Sequence, residues 1–166
     1  MRQYMAWADV GSENIMGQSW EIISSILKIF GALILVGFNA FFVAAEFAFV
    51  KVRSTRLAQL ATEGNKRALR AQECVNHLDA YLSVSQLGIT LASLGLGWLG
   101  EPAVASLINP LLQSWGINNP ALIHSVSFIV AFALITFLHV VFGELAPKTV
   151  AIQRAESLAL FLAGPM

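Results

Sequence analysis

The stretch "ALIHSVSFIVAFALITFLHVVFGELAPKTV", residues 121–150, decides the fold. The chain carries no Asp, Glu, Lys or Arg from Pro102 to Gly143, and Glu144, Pro147 and Lys148 then arrive within five residues. A helix needs ~20 apolar residues to cross the ~30 Å hydrocarbon core of a bilayer, so the segment from 121 to 145 is long enough to span.

Two more segments qualify. "ILKIFGALILVGFNAFFVAAEFAFV" (26–50) is uncharged from Ile29 to Ala45, and "AYLSVSQLGITLASLGLGWLG" (80–100) carries no formal charge. Backbone polar groups in lipid must be satisfied internally, and three segments cannot close a barrel, so all three are expected to be helices. Composition agrees: the 166 residues are 57% hydrophobic and 12% charged, with mean hydropathy +0.68. Soluble domains carry about twice that share of charge. The fold class is therefore an all-α integral membrane protein with three transmembrane helices.

Ten acidic and ten basic residues balance, which gives no electrostatic reason to expect nucleic acid as a partner. The single Cys74 rules out an internal disulfide and a CxxC-type metal site, and is expected to be a small semi-buried residue. Residues 1–21 lack a compact apolar region and include Asp9 and Glu13. They are expected to form a polar extracytoplasmic tail ahead of an uncleaved first helix, not a signal peptide.

Six of the ten basic residues, Lys51, Arg53, Arg56, Lys66, Arg67 and Arg70, lie between the first two spans, and 101–120 has none. The positive-inside bias puts that basic loop in the cytoplasm and the N-terminus outside, in a multi-pass arrangement expected in the cell inner (plasma) membrane. The third span then delivers Lys148 and Arg154 to the same inner side. Within the loop, Leu57, Leu60 and Ala61 come after a candidate cap at Ser54, "EGN" at 63–65 is a helix stop, and Leu69, Val75 and Leu78 resume a helical pattern. These predict a cytoplasmic hairpin of two short amphipathic helices. Apolar residues at 104, 107, 108, 111 and 112 predict a short interfacial helix in the outer loop, anchored by Trp115. "ESLALFLAGPM" at the end is too short to span, so a juxtamembrane helix along the inner surface is expected. The abrupt stop after Met166 reads as a fragment of a longer protein.

Ionisable groups within spans are costly and are functional candidates by default. Glu46 lies seven residues after Asn39, on the same helix face, although it is also close enough to the interface to snorkel. Glu144 has Lys148 four residues on as an ion-pair partner. Ser83, Gln86, Thr90, Ser93 and Gly97 form one small, polar stripe on the second span, with Gly88 and Gly95 off it. Such a stripe serves either helix–helix packing or ligand binding. The third span brings Thr136, His139 and Gly143 at i, i+3 and i+7.

Pro147 has no N–H, so the Gly143 carbonyl four residues back loses its helical partner. That carbonyl, the Glu144 carboxylate and second-span hydroxyls make an all-oxygen set of the kind that hard cations such as Mg²⁺ prefer. Broken helices offering carbonyls to ions recur in transporters. His139 has no second His or Cys at ligand spacing, which argues against a soft-metal site, and His77 and His124 sit near the interfaces. No phosphate loop, nucleophile elbow or HExxH is present, so an enzyme is not expected.

Three stretches, "NAFFVAAEFAFVKVR" (39–53), "YLSVSQLGITLASLGLGWLGEP" (81–102) and "VFGELAPKTVA" (141–151), resemble in order the three motifs of the CorC/CNNM (cyclin M) membrane domain. The resemblance runs from about residue 22 to the end, giving a transmembrane domain over 22–166. It implies a homodimer of three-helix protomers and Mg²⁺ transport, usually as efflux coupled to Na⁺. Cytoplasmic CBS domains and a small C-terminal domain follow in the family and are absent from this chain. Carried over by position, the metal ligands would be Ser83, Ser85, Gln86, Gly143 and Glu144, with Asn39, Glu46, Thr90, His139 and Pro147 in support. The chain departs from the family's Mg²⁺ transporters at Ile89, where Asn is usual, and at Ala45, where Ser is common. The bacterial branch with "QLGIT" includes hemolysin-like proteins and a relative linked to polyamine export. Export of an organic cation, and a non-transporting anchor or sensor for CBS domains, therefore stand as alternatives to Mg²⁺ efflux.

Overall fold

A computed structural model describes the backbone of residues 2–166, and the side chains of residue 20 and residues 23–166. Among the described residues there are helices and no strands: α1 (Arg2–Lys51), α2 (Ser54–Thr62), α3 (Lys66–Asn76), α4 (Leu78–Ser114), α5 (Pro120–Leu138), a π-helical turn (His139–Leu145), α6 (Ala146–Gln153) and α7 (Ala155–Leu162). Three stretches are long and apolar enough to cross a membrane: Ile23–Lys51, Leu78–Ser114 and Pro120–Gln153. The third joins α5, the π turn and α6 into one rod. Of the expected tail, 1–21, residues 2–21 fall in the first part of α1, where all side chains but that of Trp20 lie outside the described residues, as does residue 1.

Small residues set how α1 and α4 pack. Leu35 meets Gly95, Phe42 meets Gly88, and Phe49 meets Tyr81 with ring centroids 6.2 Å apart. Each step of seven along α1 is matched by seven back along α4, an antiparallel heptad contact. A Cβ on Gly95 would lie 3.2 Å from Leu35 Cδ1, and one on Gly88 would collide with the Phe42 ring. Without a hydrophobic drive between helices in lipid, such close approach is what holds them. Gly100 admits Ile135 of α5 in the same way, with 2.9 Å to a hypothetical Cβ.

The expected break after residue 100 does not occur. Helix α4 runs through Pro102 and Pro110 to Ser114, so residues 104–112 are its C-terminal part and not a separate interfacial helix. Each proline costs its own N–H and one carbonyl partner. Ala103 and Leu112, within this stretch, are buried. The loop shrinks to residues 115–119, with Gly116 at φ +84° and Asn119 Oδ1 capping α5 by accepting from the N–H groups of Ala121 and Leu122 (3.0 and 3.4 Å).

The hairpin forms as α2 and α3. Gly64, at φ +86°, takes the left-handed turn, and Asn65 Oδ1 accepts from Arg67 N (3.0 Å) and Ala68 N (3.3 Å). The Ser54 cap is absent: Arg53 holds the N-cap position without a side-chain bond. Leu69 is exposed, and α3 instead turns Ala68, Ala71 and Cys74 inward. Small side chains there let α3 sit close to α1 and α7, where Ala45, Ala48, Phe49, Leu57, Ala159 and Leu162 complete one core. The expected juxtamembrane helix is thus α7, docked on the hairpin.

Cys74 is 2% exposed, and burial pushes its thiol above the ordinary value of 9.0, against a hydrogen bond from Tyr81. A thiol held neutral in the fold favours the folded state most below the unfolded value, and this contribution is lost as pH rises through the folded one. Maleimide labelling of the folded protein at neutral pH is therefore expected to be at least about tenfold slower than labelling in denaturant. Equal rates would show that the α1–α3–α7 core opens readily.

Candidate cation site

The π turn is a consequence of Pro147. Without that N–H, the rod cannot close the α-helical bond to Gly143, and it widens to i→i+5 spacing, with Ala146 N–H donating to Val141 O. Such turns concentrate at functional sites. The Gly143 carbonyl is not left bare, as the sequence suggested. Asn39 Nδ2, from α1, donates to it at 3.1 Å. Asn39 is fully buried, and a buried amide must find partners.

A chain of polar contacts continues from there across all three spans. Ser93 Oγ of α4 lies 3.5 Å from Asn39 Oδ1 and 3.1 Å from His139 Nε2, and that nitrogen lies 3.8 Å from Glu144 Oε1. Ser93 has one hydroxyl proton. One arrangement satisfies every member: His139 Nε2–H donates to Ser93, Ser93 to Asn39, and Asn39 to the Gly143 carbonyl. Gly143 gives this close approach its room, since a Cβ would lie 3.0 Å from both Asn39 Nδ2 and His139 Cδ2 and one of them would have to shift.

The structure thus brings together Asn39, His139, Gly143 and Glu144, and adds Ser93. The remaining predicted ligands lie further along the helices. Ser83 and Thr90 are exposed, and their hydroxyls donate back to the carbonyls of Asp79 and Gln86 at 2.8 Å each. Gln86 is exposed on the same α4 face, and Glu46 is half-buried two turns along α1 from Asn39. Ser85 is fully buried, and among the described residues its Oγ has no hydrogen-bond partner. An orphan of this kind costs ~1–3 kcal/mol unless something outside the chain satisfies it. The heptad register places Ser85 level with Ala45, the position where a serine is common in the resembled family.

Lys148 does not pair with Glu144. Its Nζ sits 4.5 Å from the centroid of the Phe47 ring, and Glu144 faces His139 instead. Glu144 lies within the π turn and Lys148 beyond it in α6, and the wider turn changes the angle between them, so the i+4 partner no longer shares the face.

A cavity of about 390 Å³ opens beside this network between α4 and α5, lined by Ser93, Glu101, Phe132, Thr136 and His139. Glu101 was missed from sequence because the second span was bounded by its absence of charge, which put Glu101 in the loop after residue 100. Among the described residues no three of His, Cys, Asp and Glu cluster as a metal-binding group. A cation at the network would therefore be held mainly by neutral oxygens and by Glu144.

The cyclin M transmembrane N-terminal domain matches residues 30–166. Two Bacillus subtilis (strain 168) proteins are similar along most of the chain: UPF0053 protein YhdT is 60% identical over 133 residues, 80% of this chain and 29% of that protein. UPF0053 protein YugS is 52% identical over 141 residues, 85% of this chain and 33% of the relative. A Mycobacterium tuberculosis protein, Rv1841c, is 40% identical over 147 residues, 87% of this chain and 40% of its own length. The chain spans about a third of the length of the Bacillus relatives. With three membrane-crossing helices in the expected order and a match over most of its length, the chain belongs to the cyclin M (CorC/CNNM) transmembrane-domain family.

Proposed function

We propose that this domain moves a divalent cation, Mg²⁺ foremost, out of the cell, as a homodimer in the plasma membrane with its N-terminus outside and the α2–α3 hairpin in the cytoplasm. The observation that carries the reading is the Gly143 carbonyl, released by Pro147 and held by Asn39 beside the Glu144 carboxylate. Mg²⁺ takes oxygen ligands, keeps several waters, and needs only one or two carboxylates. The orphan Ser85 hydroxyl, further along α4, is a second candidate oxygen outside this network. Na⁺, also a hard cation, suits the same donors as the coupling ion.

The exposed face of α4 supports the dimer. Gln86 and Thr90 lie there among Leu87, Leu91 and Leu94. Polar side chains facing lipid are unfavourable, and a second copy would cover them. Regulation by CBS domains belongs to the part of such proteins beyond this chain.

A second reading, export of a diamine, is favoured by the 390 Å³ cavity, where Phe128, Phe132 and Ile135 flank Glu101. Aromatic faces and one acid suit an alkylammonium better than a hydrated metal. Isothermal titration of the purified protein with Mg²⁺ and with putrescine separates the two. Saturable Mg²⁺ binding that is lost in Glu144→Gln supports the first reading. Putrescine binding without Mg²⁺ binding replaces it with the second.

A further inference from the structure

We infer that the cleft of about 670 Å³ between the end of α1 and the α6–α7 junction binds the phosphate of an anionic phospholipid headgroup. Lys51, Arg53 and Arg56 line it against a single acid, Glu156. Arg56 Nε lies 3.4 Å from Glu156 Oε1, and its Nη1 donates to Gln59 Oε1 at 3.0 Å. Lys51 and Arg53 form no ion pair among the described residues, so two positive charges in the cleft are uncompensated.

The position says which anion. The first span ends at Lys51 and the third at Gln153, and both residues line the cleft. Val50, Val150 and Ile152, on those same two span ends, are apolar and exposed (57%, 47% and 44%). A ligand with a phosphate head and apolar tails fits both features: the head meets the cations, and the tails continue along the valine and isoleucine surface. Basic pockets between helices at a membrane boundary are built for such heads. A soluble phosphate would use the cations and leave the apolar rim without a role. The inference is independent of the cation site, which lies on other faces of α1 and the third span.

The test is native mass spectrometry of the purified, delipidated chain titrated with dioleoylphosphatidylglycerol, dioleoylphosphatidylcholine or inorganic phosphate. Phosphatidylglycerol is expected to bind at least about tenfold more tightly than phosphatidylcholine. At about 1 kcal/mol per basic residue, each lost cation weakens binding about fivefold, so K51Q/R53Q loses about thirtyfold. The charge-matched variant K66Q/R67Q, on the exposed face of α3, is expected to bind like the wild type. Millimolar inorganic phosphate is expected to leave lipid binding unchanged. Equal binding of the two lipids by the wild-type chain overturns the site without recourse to any variant. Equal losses in both variants assign the effect to diffuse charge, and displacement of the lipid by inorganic phosphate assigns the cleft to a soluble anion. Either result overturns the inference.

Discussion

On the proposed Mg²⁺ efflux, Glu144→Gln is expected to lower transport by about ten- to a hundredfold while leaving the fold intact. The side chain is 46% exposed, and its nearest ionisable neighbour is His139 at 3.8 Å. Glutamine keeps the size and the hydrogen-bonding oxygen and removes only the charge. Contacts to a charged group are worth ~1.5–3 kcal/mol, which corresponds to about ten- to a hundredfold in affinity. The measurement is Mg²⁺ release from proteoliposomes carrying an internal indicator, with thermal stability in detergent measured in parallel. Unchanged flux in the variant removes Glu144 from the pathway. A wild-type protein silent for Mg²⁺, Na⁺ and putrescine alike would leave the domain as a membrane anchor.

The three spans were legible because charge avoidance over ~20 residues has few other meanings in a protein. The hairpin was legible from its stop signal, since "EGN" supplies both the left-handed glycine and the capping asparagine. What failed was the end of the second span, placed where the charge of Glu101 begins: α4 continues through Pro102 and Pro110, and Pro147 follows a π turn. A proline removes one N–H, and whether the helix stops, bends or widens depends on the packing around it. Sequence spacing does not contain that packing.

The candidate site shows the same division. Gly143 and Glu144 could be read from local chemistry, because Pro147 acts four residues back along the same helix. The bond from Asn39 to Gly143 joins residues 104 positions apart and exists only once three helices are assembled. Ser93 was visible as one member of a polar stripe. Nothing in the spacing distinguished it from Ser83 or Thr90, whose hydroxyls turn back to their own helix. The deciding fact is which stripe residue faces His139, and that is set by the glycine contacts at 88 and 95.

Gly143→Ala is expected to cost ~1–5 kcal/mol of stability and to abolish the proposed efflux. On an open helix surface the same change would be favourable by about 1 kcal/mol, through helix propensity alone. Here the new methyl lies 3.0 Å from Asn39 Nδ2 and from His139 Cδ2. Neither is the loose end of a flexible chain: Asn39 is fully buried, and His139 is held by Ser93. One of them must move. Overpacking costs ~1–3 kcal/mol, and separating Asn39 from the Gly143 carbonyl adds ~1–3 kcal/mol for groups left unpaired. Asn39→Ala removes the amide that the methyl strikes, so the double variant should be more stable than the sum of the single losses predicts, by ~0.5–3 kcal/mol. Thermal or denaturant unfolding of the four proteins in one detergent measures that coupling. Strict additivity would mean that the amide and the π-turn glycine do not act as a unit, and the carbonyl beside Glu144 would then need another explanation for its position.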